Sequence, residues 1–157
     1  MIESSVVHDL LLEAMQTALE TMFFAAPDTV SMDPRRPDGA LIAAKLTFQG
    51  TPDGWFWLIV SDPLARTLAA NFLGCEDDAS LLPASVSDVT MELANIMCGA
   101  ALSRMESGVN FDLSAPLPIP VGAGESGPDF AAGSTSACRF EFPEGALIAF
   151  LAFQERE

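Results

Sequence analysis

Between positions 88 and 99 the chain reads Asp88-Val-Thr-Met-Glu92-Leu-Ala-Asn95-Ile-Met-Cys-Gly99. On a helix Glu92 and Asn95 are three apart, so they are surface neighbours with Cβ atoms about 5–6 Å apart. Asp88 precedes Glu92 by one turn and Gly99 follows Asn95 by one turn, so all four share one face. The carboxylate carries charge and accepts hydrogen bonds, whereas the carboxamide accepts through its oxygen and donates through its nitrogen. Val86, Val89, Leu93, Met97, Ala100 and Ala101 fall on the opposite side, with Ile96 at its margin. That is the apolar stripe of a helix lying on a core. Glu106 lies further along the same polar face, and Met91 and Leu102 flank it, where solvent alone favours polar residues. Asparagine is a mediocre helix former, and glycine inside a helix costs about 1 kcal/mol relative to alanine. A flat spot beside an acid and an amide, rimmed by Met and Leu, reads as a surface on which another protein docks. The contacts expected there are Asp88, Met91, Gly99 and Leu102. The same letters also suit a solvated helix face, and Gly99 also suits helix–helix packing.

Other chemistries find less support. His8 is the single histidine, and no serine or cysteine stands at a fixed spacing from it, which argues against a triad. Three cysteines, Cys75, Cys98 and Cys138, form no C-x-x-C pair, so neither a zinc site nor a disulfide framework is expected. Glu76-Asp77-Asp78 is an acidic run of the kind that usually forms a solvated loop. Gly122-Ala-Gly124-Glu-Ser-Gly127 spells a dinucleotide fingerprint, but Pro118 and Pro120 before it and Pro128 after it deny it the strand and helix that the fingerprint needs. No metal ligand set and no cofactor of the chain's own are expected.

The elements that must position the polar helix follow from composition and punctuation. Half of the 157 residues are apolar and 18% are charged, which is core-forming. Seven cations against 22 acids leave a net charge of −15, and the cations are scattered, so nucleic acid and anionic membranes are not expected partners. No apolar run reaches the roughly 18 residues of a membrane span. The opening residues carry acids and no basic cluster, so no secretory signal is expected and the cytoplasm is the expected location.

Residues 6–25 have helical composition up to Pro27. Strand character follows at Thr29–Met32, Ala40–Gln49 and Gly54–Val60, and the turn letters GTPDG join the last two into a hairpin. Asp62-Pro63 opens a short helix, with Asp62 expected as N-cap and Gly74 closing it. The polar helix spans about Ala84 to Glu106, and a Pro/Gly-rich stretch follows it. Two further strands, STSACRFEF and GALIAFLAF, are joined by PEG. The order thus repeats, with Asp53-Gly54 answering Glu144-Gly145, and Glu20 and Phe23 answering Glu92 and Asn95. The prediction is one α+β domain over residues 1–157, in pseudo-duplicated α-β-β-β halves of about 1–74 and 84–157. Its antiparallel sheet carries two long helices on one face. Phe23 and Phe24 are expected to plug the core. If GALIAFLAF lies at a sheet edge, it wants covering.

The letters D-x-x-x-E-x-x-N-x-x-x-G, in a small acidic chain with this repeated order, resemble the CheC/CheX/FliY chemotaxis phosphatases. The resemblance in element order covers nearly the whole chain, and the motif about a dozen residues. Because Phe23 stands where the first helix would need an amide, the chain is most similar to CheX-like members with one functional helix. The resemblance implies Glu92 and Asn95 as the active pair of a phosphatase. Its substrate would be the aspartyl phosphate of a CheY-type receiver domain. Asn95 would place the attacking water, Glu92 would engage the receiver's lysine, and the receiver would bring the Mg²⁺. It also implies a homodimer. The alternative is a non-catalytic receiver-binding or adaptor domain of the same fold.

Overall fold

The computed structural model describes residues 4–50, 53–76, 81–105, 111–119 and 134–154. The first helix, α1 (Ser4–Met22), is rich in Leu, Ala, Met and Glu. It turns Val7, Leu11, Ala14, Met15, Ala18 and Leu19 inward at intervals of three and four. It closes with a left-handed residue: the Ala25 N–H donates to the Leu19 carbonyl across 2.9 Å, and Phe24 between them has φ 53°. Glycine is the usual residue at such a position. The expectation that both rings plug the core holds for Phe23 alone. Phe23 is fully buried and stacks on Phe72 with ring centroids 4.9 Å apart, whereas Phe24 is 73% exposed.

Phe24 therefore stores strain without gaining burial. A non-glycine residue held at positive φ costs roughly 1–3 kcal/mol, more than the ~0.4–1 kcal/mol that glycine's freer unfolded chain takes back. Phe24→Gly is expected to stabilise the protein by about 1 kcal/mol. Chemical denaturation checks this, and a variant less stable than the parent refutes it.

Strands β1 (Thr29–Ser31), β2 (Leu41–Gln49) and β3 (Gly54–Ser61) follow. Helix α2 (Asp62–Leu73) opens one residue earlier than its sequence suggests. Asp62 is its first helical residue, not its cap, and its carboxylate takes the Arg66 guanidinium at 2.9 Å. Ser61 occupies the cap position, but its hydroxyl is drawn across the sheet. There it donates to the Ala146 carbonyl at 3.1 Å and accepts the Ala146 N–H at 3.0 Å. Gly74 closes α2 at φ 73°, as expected. Helix α3 (Pro83–Ser103) carries the polar face, and Glu106 lies outside the described residues. Strands β4 (Asp112–Leu113), β5 (Leu117–Ile119), β6 (Ser134–Phe142) and β7 (Gly145–Phe153) complete the order.

All pairings are antiparallel, in the order β1-β6-β7-β3-β2-β4, with β5 also on β2. The protein is α+β, and the two hairpins meet where β3 lies against β7, from Gly54 opposite Phe153 to Val60 opposite Leu147. The short strands are exchanged between the repeats: β1 adds to β6, whereas β4 and β5 add to β2. All three helices bury their apolar sides in one cluster with the inward side chains of the sheet, including Phe48, Phe56, Phe140 and Leu151.

Strand β7 is central rather than an edge. It is paired along its length on both sides and buried from Ala146 to Phe153. A continuous apolar run is what a strand covered on both faces requires. Its outward residues Ile148 and Phe150 join Ala43, Ile59 and Ala137 in a second cluster, flanked by Trp55 and Trp57. GALIAFLAF thus offers no exposed edge, and that sequence argument for self-association falls.

Candidate functional site

Helix α3 is held at both ends. Pro83 pre-sets the first turn, where its missing N–H costs nothing. Arg104 closes the last turn by donating from Nη1 to the Ala100 carbonyl at 2.9 Å, and its Nε lies 3.9 Å from Glu13 of α1. Val86, Val89, Leu93, Ala94, Met97, Cys98 and Ala101 are buried against the sheet and α1. The only polar residue in that stripe is Thr90, whose hydroxyl is satisfied by the Val86 carbonyl at 2.8 Å. Rotating the helix so that this stripe faces inward leaves Asp88 and Glu92 exposed, with Asn95 and Gly99 half-buried beside them. Among the described residues neither the Glu92 nor the Asn95 side chain takes a hydrogen bond or an ion pair. The acid and the amide therefore stand side by side on a rigid element with their polar atoms uncommitted.

Leu102 does not belong to this surface. It is 2% exposed and part of the main core, so it is withdrawn from the docking contacts. Strand β4 runs beside that flank, bringing Leu113 Cδ2 within 3.9 Å of the point where a Gly99 Cβ would stand. Met91 is half-buried against the core and shows only part of its side chain at the rim. On α1, Glu20 is exposed, but Phe23 is inside the core, so the first helix lacks an amide at the position that answers Asn95.

The pair lies on the outer side of α3, Glu92 exposed and Asn95 half-buried. A cavity of about 320 Å³ beside the first turns of α2 and α3 is lined by Asp62, Arg66, Val86, Ser87 and Pro118, and includes neither Glu92 nor Asn95. Small-molecule sites are concave as a rule. A convex helix face suits insertion into a cleft on another protein.

A profile of the family described as chemotaxis phosphatase CheX matches residues 42–125, more than half of the 157-residue chain. The chain belongs to the CheX family. The matched segment contains the whole of α3 and hence Glu92 and Asn95. No protein of curated function matches by sequence. Among solved structures, the fold is similar to that of CheX from Vibrio vulnificus, with TM-score 0.74 and 21% identity over 95% of this chain and 99% of that one. CheX from Desulfovibrio desulfuricans gives TM-score 0.73 and 18% identity over 95% and 99%. The CheX–CheY–BeF3–Mg complex from Borrelia burgdorferi gives TM-score 0.68 and 16% identity over 94% and 97%.

In this CheX-family chain one further juxtaposition escaped the sequence. Cys138 Sγ lies 3.4 Å from His8 Nδ1, 130 positions away, a pair that resembles a nucleophile and its base. Burial, with a smaller contribution from the charge of Asp9, pushes the Cys138 thiol up to about 12, and burial alone does the same to Cys98. Both stay protonated at neutral pH and serve as packing groups. Among the described residues no group of three or more His, Cys, Asp and Glu side chains is placed to hold a metal ion. No helix among them is long and apolar enough to cross a membrane. The G-x-G-x-x-G letters at 122–127 and the acids Asp77 and Asp78 lie outside the described residues.

Proposed function

We propose that this chain is a CheX-type phosphatase that removes the phosphoryl group from the aspartate of a CheY-type receiver domain. The single observation that carries the reading is the uncommitted Glu92–Asn95 pair on the outer side of α3, inside the segment that matches the family. Hydrolysis of an aspartyl phosphate needs a water in line with the breaking P–O bond and cations on the phosphoryl oxygens. Asn95 holds that water, its amide oxygen accepting a hydrogen bond from it. Glu92 pairs with a lysine at the receiver's pocket and fixes the register of the two proteins. The receiver supplies the phosphoaspartate and the Mg²⁺, and a CheX neighbour of similar fold has been solved with CheY, BeF3 and Mg. Asp88 and the exposed part of Met91 form the rim of the contact.

At a net charge of −15 the protein gains no long-range attraction toward another acidic domain. Local pairing and apolar contact must therefore hold the complex, and association is expected to be slow for its affinity. The test is the loss of labelled phosphate from a phosphorylated receiver with and without this protein, beside a binding measurement on the BeF3-activated receiver. Acceleration supports the phosphatase. Binding without acceleration leaves a receiver-binding adaptor, and absence of both removes the reading.

A further inference from the structure

Most described glycines in this fold have a reason that lies within the chain. Gly74 adopts φ 73°, Gly145 adopts φ 152°, and a Cβ on Gly54 would strike the Ala152 carbonyl. Gly99 has none of these reasons. It lies inside a regular helix without positive φ, and among the described residues a Cβ there would meet only Leu113 Cδ2, at the ordinary contact distance of 3.9 Å. Glycine is the poorest helix former after proline. The fold would thus accept alanine at this position and gain by it. Gly99 nevertheless stands half-buried on the polar side of α3, four residues beyond Asn95 and seven beyond Glu92. What the missing side chain leaves there is a notch of bare backbone beside the pair.

We propose that Gly99 is a specificity-determining position: its bare backbone is where main chain of the receiver domain, flanking the phosphorylated pocket, comes into close contact with α3. The inference rests on the receiver phosphatase reading and adds to it where the partner's backbone passes. Closeness at this notch lets Asn95 reach a water held deep in the partner. A methyl group at residue 99 holds the two surfaces apart by part of an ångström or forces side chains aside. The amide and the acid stay as they are, so the cost falls on assembly rather than on the chemical step.

The experiment compares wild type with Gly99→Ala and Gly99→Leu in three measurements. These are the thermal midpoint, binding to BeF3-activated receiver with Mg²⁺, and steady-state dephosphorylation. Gly99→Ala is expected to melt about 2–4 °C higher, the shift a modest helix stabilisation gives a chain of this size. Its dissociation constant and KM are expected to rise about tenfold or more, as when one carbon is forced into a close-packed contact, with kcat at saturation little changed. Gly99→Leu should weaken binding further. A variant that is more stable and binds as well as wild type overturns the proposal while leaving the phosphatase reading intact. A less stable Gly99→Ala also overturns it, because the glycine then serves the fold. A wild type that neither binds nor accelerates removes the phosphatase reading and this inference together.

Discussion

Asn95→Ala is expected to bind the activated receiver and yet leave its phosphate nearly as long-lived as in the receiver alone. The loss of acceleration should be about 100-fold or more, the scale on which a single preorganised group at the reacting centre is valued. The geometry makes the loss hard to rescue. Asn95 is half-buried on the middle of a helix anchored at both ends, so its backbone is already ordered and only side-chain rotamer freedom is lost on binding. Its neighbours on the polar side of α3 are the acids Glu92 and Asp88 and the bare Gly99, none of which can donate and accept as an amide does. The first helix offers no substitute, since Phe23 is inside the core. Truncation should not harm the fold, because the Asn95 side chain forms no hydrogen bond among the described residues and alanine is the better helix former. An unchanged or slightly raised thermal midpoint beside lost turnover is the expected signature. Glu92→Ala should act differently, raising KM more than it lowers kcat, since it removes a contact made equally before and during the reaction. Phosphate-release kinetics over a range of receiver concentrations separate the two. An Asn95→Ala protein with full turnover would sink the proposed mechanism.

How much of this was legible in the letters depends on whether a residue's neighbours are near it in sequence. The polar face of α3 could be read because three- and four-residue spacings fix which side chains adjoin on a helix, whatever the rest of the chain does. Leu102 was misplaced for the opposite reason: it is taken into the main core, and nothing local on the helix says what the rest of the chain will pack against that flank. The hairpins were marked by turn chemistry, but the exchange of β1 and β5 between the repeats is set by long-range pairing alone. Asp62 reads as a cap until Ala146 claims the Ser61 hydroxyl from 85 residues away. Phe24 continues an apolar helix in the sequence, and only the left-handed closing turn exposes it. The position of GALIAFLAF was open as an edge in the sequence, although its unbroken apolar run already carried the mark of a strand with two covered faces.

The repeated acid-glycine turns carried a physical demand that spacing alone did not reveal, and Gly54→Ala exposes it. A Cβ on Gly54 would stand 2.0 Å from the Ala152 carbonyl oxygen and 2.6 and 3.0 Å from two carbons of the Phe48 ring. The oxygen belongs to the backbone of central strand β7 and cannot swing aside as a side-chain tip would. The ring cannot yield freely either, since Phe48 is edge-on to Phe111 and Phe153 at 5.7 and 5.8 Å. Relief requires β3 and β7 to part at the junction that joins the two hairpins. Overpacking a rigid core costs about 1–3 kcal/mol, and adding the disturbed ladder brings the expected loss to roughly 3 kcal/mol or more. With total stabilities of about 5–15 kcal/mol, that is a large share, and the thermal midpoint should fall by about 6–12 °C or the chain should fail to fold. The same substitution at Gly99, where among the described residues the Cβ meets only Leu113 at ordinary contact distance, is expected to raise the midpoint. Opposite signs for one methyl group at two glycines follow from what each Cβ would meet, and equal shifts would contradict the packing described for both.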